Sequence, residues 1–359
     1  MKRRKISSFP TIRFIRIQSL VVIIFASDCM IRTVYVLAAR LSLLTLITGW
    51  LSPDLLAQQD PQFSMYMYNP FYFNPAAVGS EGVSRLQITH RTQYLGYQPT
   101  IASDGGAQST QLLSYNMPLA SLKSGVGIYA FNDRLGAIVN QAVQVAYAYR
   151  MSLKNGTLAL GVQAGLYNRG INYGELFRPG QPGDPSIPTG QVSQAKPDFA
   201  AGVYYNTTDY WFGLSMTHLN AATYTLVTDR SSDPLDRTVN MTVGYRLGVG
   251  YNIDVQPSIL VQYSTGGRAR ATAITANLTG TYDNRIWAGV GYRLGDALMA
   301  TAGINLMRNN ALRVGYSLDL VTGGTQIKSL TSHELLLAYA LPAPDARKKP
   351  IIRTPRFRY

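Results

Sequence analysis

The chain has 359 residues, a formal net charge of +14 and a single cysteine, Cys29. The positive charge lies at the two ends: residues 1–57 hold eight Lys or Arg against two Asp, and residues 347–359 hold six Lys or Arg and no acid. Between these ends the excess is only two positive charges, so the composition offers no basic face for a nucleic acid. One cysteine also excludes a disulfide framework.

Residues 1–57 have the pattern of an export signal. An apolar run at residues 41–51 follows Arg32 and Arg40 and precedes a small-residue site that ends at Ala57. This arrangement predicts a secretory signal peptide that is cleaved after Ala57. An N-terminal anchor that stays attached is the alternative, but the apolar run is shorter than the roughly 20 residues of a spanning helix.

A second apolar stretch, residues 17–26, precedes this signal, and two stacked signals would be unusual. We predict that translation begins at Met30, which gives a leader of ordinary length with Arg32 and Arg40 at its positive end. Intact-mass or N-terminal analysis of the precursor tests this start, and a product that begins at Met1 would contradict it.

Residues 58–81 are rich in aromatic side chains and contain two Asn-Pro pairs. Asp60-Pro61 suits the start of a short helix and Asn69-Pro70 its end, while Asn74-Pro75 marks a second turn. So many aromatic residues need a surface to pack on. Residues 82–341 are predicted below to form a β-barrel, and we expect this segment to dock into its periplasmic mouth or its lumen. The candidate partner-binding residues of this segment are Phe63, Tyr66, Tyr68, Asn69, Pro70, Asn74 and Pro75.

Residues 82–341 alternate between apolar and polar side chains in segments of about ten residues. In residues 285–294, for example, Ile286 and Val290 share one face while Trp287 and Arg293 share the other. Strands of globular proteins average about five to six residues, whereas a tilted strand needs roughly nine to eleven to cross a membrane. We therefore predict an all-β fold: a transmembrane antiparallel β-barrel of about 14 strands, preceded by a short periplasmic segment.

The predicted strands are residues 82–94, 108–117, 124–133, 137–153, 156–168, 197–206, 209–219, 238–250, 255–265, 268–281, 284–294, 297–308, 311–321 and 331–341. With both ends of the barrel in the periplasm, every long connection falls on the outer side, as in outer-membrane barrels. The connection at residues 169–196 is longer than a simple link requires, so Arg178 and Pro179 are candidate contacts for a partner.

Catalytic and metal-binding patterns are absent from the sequence. The three histidines, His90, His218 and His333, lie on three different predicted strands without the spacing of a zinc site. Ser332 and Glu334 flank His333, but neighbours in a strand point to opposite faces and cannot form a relay. We predict no enzymatic activity, no catalytic residue, no metal and no cofactor.

Several arginines fall on the polar face of the predicted strands, including Arg91 and Arg313. We expect them to pair inside the lumen with carboxylates such as Glu81 and Asp319; a selectivity filter for anions is the alternative.

Residues 342–359 form a basic tail that lacks any hydrophobic period. On the predicted topology the tail lies in the periplasm, where it is a candidate contact for an acidic protein or a cell-wall polymer. Its candidate partner-binding residues are Arg356 and Phe357. A disordered end is the alternative.

The aromatic, Asn-Pro-rich opening of residues 59–77 closely resembles the PorP/SprF family of type IX secretion outer-membrane proteins. Ser332-His333-Glu334 and Thr354-Pro355-Arg356-Phe357 extend the resemblance to the far end of the chain. The resemblance implies a barrel without enzymatic activity in the cell outer membrane. It also implies partners in secretion: a type IX substrate or adhesin, and a periplasmic type IX component or a peptidoglycan-linked lipoprotein.

The predicted function is therefore that of a non-catalytic component of type IX secretion or gliding. Such a component helps to deliver or retain secreted adhesins at the cell surface, or links the barrel to periplasmic machinery. A diffusion pore or small-molecule transporter is the alternative.

Overall fold

Fourteen antiparallel strands form the wall of the protein in a computed structural model that describes residues 60–96, 107–173, 190–226, 233–265, 272–323 and 331–341. The strands are β1 (Ser84–Gln93), β2 (Gln108–Leu119), β3 (Ser124–Leu135), β4 (Ile138–Leu153), β5 (Gly156–Asn172), β6 (Gln191–Asn206), β7 (Tyr210–Thr217), β8 (Thr238–Tyr245), β9 (Ile253–Ser264), β10 (Thr272–Tyr282), β11 (Ile286–Arg293), β12 (Ala297–Leu306), β13 (Leu312–Val321) and β14 (Thr331–Leu341). No helix within these ranges is long and apolar enough to span a bilayer.

The strands close into a ring. Each pairs with its neighbours in sequence, and β1 pairs with β14 from Ser84 opposite Leu341 to Thr92 opposite His333. Closure satisfies the backbone groups of both end strands, which an open sheet would leave unpaired in lipid. The predicted antiparallel barrel of about 14 strands is confirmed.

The period-two pattern separates the two faces of the wall. In β1, Leu86 and Ile88 are exposed on the outside, while Gln87 and Thr89 are buried in the lumen. Because lipid favours apolar groups and a hydrated lumen accepts polar ones, this alternation fixes which face of each strand points outward.

Strands β5 and β6 extend farther than the sequence predicted. Their ladder continues to Asn172 opposite Gln191, so the connection between them is residues 173–190 rather than 169–196. Polar residues such as Gln194 hide the period-two pattern at these ends, but backbone pairing does not need apolar side chains.

Strand β8 is shorter than predicted because its partner β7 begins only at Tyr210. The β7–β8 ladder ends at Tyr245, and residues Leu247–Val249 form a separate short strand that pairs with β9 outside the ring. A small hairpin of Thr223–Tyr224 with Asp233–Pro234 lies in the connection between β7 and β8 and packs inward.

Replacing an outward-facing residue near the middle of a strand by arginine tests the lipid-facing surface. Val145, at the centre of β4 and 55% exposed, is the chosen position. Val145→Arg places a charge in hydrocarbon and should lower the free energy of unfolding in lipid vesicles by about 2–4 kcal/mol. The control Thr208→Arg, in the exposed turn between β6 and β7, should have little effect; equal losses in urea titrations would contradict the assignment.

Candidate functional site: a plug inside the barrel

Residues 60–81 lie inside the lumen and are called the plug below. They form three short turns, Tyr66–Tyr68, Pro70–Phe73 and Pro75–Ala77. The helix predicted to begin at Asp60-Pro61 is not formed, because the polar groups at the start of the plug bond the barrel wall instead. Both Asn-Pro pairs open a turn; the side chain of Asn74 accepts a hydrogen bond from the Ala76 N–H at 2.9 Å.

The plug crosses most of the lumen. Its first residue, Asp60, contacts His218 just beyond the outer end of β7, and Glu81 pairs with Arg85 at the periplasmic start of β1, at 2.5 Å. The segment expected at the periplasmic side therefore lies within the barrel, and of the two docking places given by the sequence the structure selects the lumen.

A histidine between two carboxylates holds the outer end of the plug. His218 Nε2 lies 3.0 Å from Asp60 Oδ2, and His218 Nδ1 lies 2.9 Å from Asp198 Oδ1. A carboxylate only accepts, so both ring nitrogens donate and the imidazole is an imidazolium. Burial alone would lower the pKa of His218, but the two carboxylates outweigh it and raise the pKa to about 10.

The backbone of the plug bonds directly to a buried glutamate. The N–H groups of Ser64 and Met65 donate to the two carboxylate oxygens of Glu334, at 2.6 and 3.1 Å. Glu334 also pairs with Arg91 at 3.1 Å, its direct cross-strand neighbour between β14 and β1. The plug is thus attached at the seam where the ring closes.

The side chain of Ser64 completes this cluster. Its hydroxyl donates to Asp319 Oδ2 at 2.6 Å and accepts from Arg91 Nη1 at 2.7 Å, and Arg293 Nη2 lies 3.3 Å away. Arg91 pairs with Asp319 and Glu334, and Arg293 pairs with Asp296 at 3.2 Å and with Asp319 at 3.8 Å. Removing one member of such a buried network costs about 3–5 kcal/mol, because the remaining charges lose their partner.

Aromatic rings fill the middle of the lumen. Phe71 and Tyr72 of the plug pack on Tyr129 of β3, with ring centroids 5.4 Å apart in each pair. On the opposite side Tyr68 packs on Trp287 at 4.6 Å, and the Arg313 guanidinium lies 4.4 Å from the centre of the Tyr68 ring. The plug residues in this buried core are Phe63, Met65, Tyr66, Phe71, Tyr72, Phe73 and Val78.

Small residues of the wall let the plug backbone approach closely. A side chain at Gly161 of β5 would collide with the backbone of Pro75 and Ala76. Nearby, the Asn74 side chain donates to the carbonyl oxygen of Val203 at 2.9 Å, and Ser215 Oγ donates to that of Phe73 at 2.6 Å.

The structure brings the predicted residues of the plug together but gives them contacts within the chain. Phe63, Tyr66, Asn69, Asn74 and Pro75 are buried. Tyr68 and Pro70 are half-buried. Their partner-binding role stays a prediction. Arg178, Pro179, Arg356 and Phe357 lie outside the described residues.

The strongest anchors were not among the predicted site residues. Ser64 has no distinctive sequence signal, whereas strand parity does place Glu334 on the lumen face. Ser332 and Glu334 indeed lie buried in the lumen while His333 points the other way and bonds the Tyr316 hydroxyl at 2.6 Å. The predicted lumen pairs are found for Arg85 with Glu81 and for Arg91 with Asp319, whereas the Arg313 guanidinium lies over the Tyr68 ring instead.

A closed ring of membrane-length strands with an apolar exterior and an N-terminal segment folded into its lumen defines a plugged outer-membrane barrel. The family model for the type IX secretion system membrane protein PorP/SprF matches residues 55–339, and the chain belongs to this family. The resemblance seen in the sequence is confirmed, and the protein is located in the outer membrane.

Several solved outer-membrane proteins are similar to this chain. The toluene transporter TbuX of Ralstonia pickettii has a TM-score of 0.45 and 13% identity, covering 78% of this chain and 94% of its own. The monoaromatic hydrocarbon channel CymD has a TM-score of 0.45 and 9% identity, and the match covers 80% of this chain and 95% of CymD. Omp33 of Acinetobacter baumannii has a TM-score of 0.41 and 7% identity, and the match covers 72% of this chain and 98% of Omp33. The comparison with curated proteins finds no match.

Enlarging Gly161 should force the plug away from the wall. In Gly161→Val the added side chain meets plug backbone, and we expect a loss of about 1–3 kcal/mol of stability, together with faster proteolysis of the plug. In the matched control Gly280→Val, on β10, the nearest atom to the new Cβ is the Ala288 carbonyl oxygen at 3.9 Å. Equal thermal midpoints and equal cleavage rates for the two variants would contradict close packing of the plug.

The anchor at His218 should make plug stability depend on pH. Because the pKa is raised from 6.5 to about 10 in the folded protein, the stabilisation is complete below pH 6.5 and is lost as the pH rises toward 10. The thermal midpoint should therefore fall over this interval more steeply for the wild type than for His218→Gln. His90→Gln, on the exposed outer wall, is the control and should keep the wild-type slope; parallel profiles for all three proteins would exclude the anchor.

Proposed function

We propose that this protein is a non-catalytic component of type IX secretion or gliding that helps to deliver or retain secreted adhesins at the cell surface, or links the barrel to periplasmic machinery. Membership of the PorP/SprF family is the observation that carries the proposal. The lumen supports it, because the chain's own plug occupies the space that a solute would need.

The proposed partners lie on both sides of the membrane. A type IX substrate or adhesin would bind on the outer side, where the connection that contains Arg178 and Pro179 is the predicted contact. A periplasmic type IX component or a peptidoglycan-linked lipoprotein would bind on the inner side, where Arg356 and Phe357 of the tail are the predicted contacts.

Conductance in planar bilayers separates this role from that of a diffusion pore. A barrel held shut by its plug should give no steady current. Gly161→Val, which we expect to displace the plug, serves as the positive control for an opened lumen. Steady solute flux through the wild-type protein would favour the pore.

Affinity purification from detergent-solubilised outer membranes, followed by mass spectrometry, tests the partners. We expect a secreted adhesin or a periplasmic type IX protein to co-purify with the wild type. Arg356→Ala with Phe357→Ala should lose the periplasmic partner, while Arg178→Ala should lose the secreted one. If neither class of protein co-purifies and cell-surface adhesin is unchanged in a deletion strain, the proposal fails.

A further inference from the structure

A small, partly open cavity lies beside the outer end of the plug, against β3 to β9 of the wall. Its volume is about 20 Å³, enough for one guest the size of a water molecule. The polar residues that line it and bear on the argument are Asp60, Gln144, Gln163, Asp198, His218 and Asn240.

Three side-chain oxygens around this cavity have no hydrogen-bond donor among the residues that the structure describes. They are Gln144 Oε1, Gln163 Oε1 and Asn240 Oδ1, all on side chains more than nine-tenths buried. The orientation of the Gln144 amide is set by its nitrogen, because Nε2 donates to the Asp198 carboxylate at 2.8 Å and a carboxylate only accepts. Gln163 Nε2 donates to the Tyr129 hydroxyl at 3.0 Å. A guest at this place therefore meets acceptors that lack a donor.

The charged groups of the cavity wall do not balance. Asp60 and Asp198 carry two negative charges, and His218, which donates from both ring nitrogens, carries one positive charge. The net charge of the lining is −1. Burying an uncompensated charge is costly, so a guest with one positive charge fits better than a neutral one.

We propose that this cavity binds one small monovalent cation of the sodium type, held by amide and carboxylate oxygens. Oxygen ligands suit hard cations, and the described residues contain no cluster of His, Cys, Asp and Glu that would hold a transition metal. The bound cation tightens the contact between the outer end of the plug and strands β4, β5 and β8, because these elements supply its oxygens.

Thermal unfolding of the full-length processed protein in detergent tests the site without any variant. Sodium chloride is compared with choline chloride at the same ionic strength, because choline is too large for a cavity of about 20 Å³. We expect a midpoint higher by roughly 2–4 °C in sodium. Equal midpoints in the two salts would overturn the proposal and leave the cavity to water.

Two variants test whether the sodium-dependent shift of the thermal midpoint arises in this cavity. Asn240→Leu removes one of the free oxygens and should abolish the difference between sodium and choline. Asn277→Leu is the matched control, since Asn277 is another buried lumen amide with a free Oδ1 but does not line the cavity; it should keep the difference. A sodium-dependent shift that survives in Asn240→Leu would place the cation elsewhere and overturn the proposed site.

Discussion

The ladder between β1 and β14 is the interaction on which the remaining structure depends. In hydrocarbon an unpaired backbone N–H or C=O costs several kcal/mol, so the two end strands must pair with each other. Their register places Arg91 opposite Glu334, on the lumen side. The β1–β14 ladder therefore closes the sheet into a ring and also forms the charged pair that binds the plug.

Polar bonds hold the plug most densely at its outer end, and aromatic packing holds its middle, with further polar bonds at Phe73, Asn74 and Glu81. Glu334 accepts two backbone N–H groups, and the hydroxyl of Ser64 joins Arg91 to Asp319. Hydrogen bonds to charged groups are stronger than neutral ones, and Arg91, Asp319 and Glu334 are almost fully buried from water. A segment with irregular backbone can occupy the lumen because the wall offers partners for its polar groups.

The barrel wall could be predicted from the sequence because lipid and lumen impose a period of two on every strand, so that Leu86 and Gln87 reveal their faces without any knowledge of neighbours. Strand ends were less predictable: at Gln194 the alternation fades, although the ladder continues.

The plug contacts could not be predicted in the same way. Asp60 meets His218 across 158 positions of the chain, and no local pattern encodes that contact. The residue types at Asp60-Pro61 favour the start of a helix, but Asp60 bonds His218 and the Ser64 N–H bonds Glu334 instead, and these contacts with the barrel wall outweigh the local preference. What the sequence did reveal was the need of the aromatic segment for a surface and the lumen position of Asp319.

The contacts of Ser64 couple the docking of the plug to the pairing of β1 with β14. Ser64 binds Arg91 on one seam strand, and its N–H binds Glu334 on the other, so the plug acts as a ligand shared by both strands. A ligand that bridges two elements favours their association, and by linkage the association favours the ligand. Seam pairing and plug docking are thus cooperative: each raises the equilibrium constant of the other, and loosening either one weakens both.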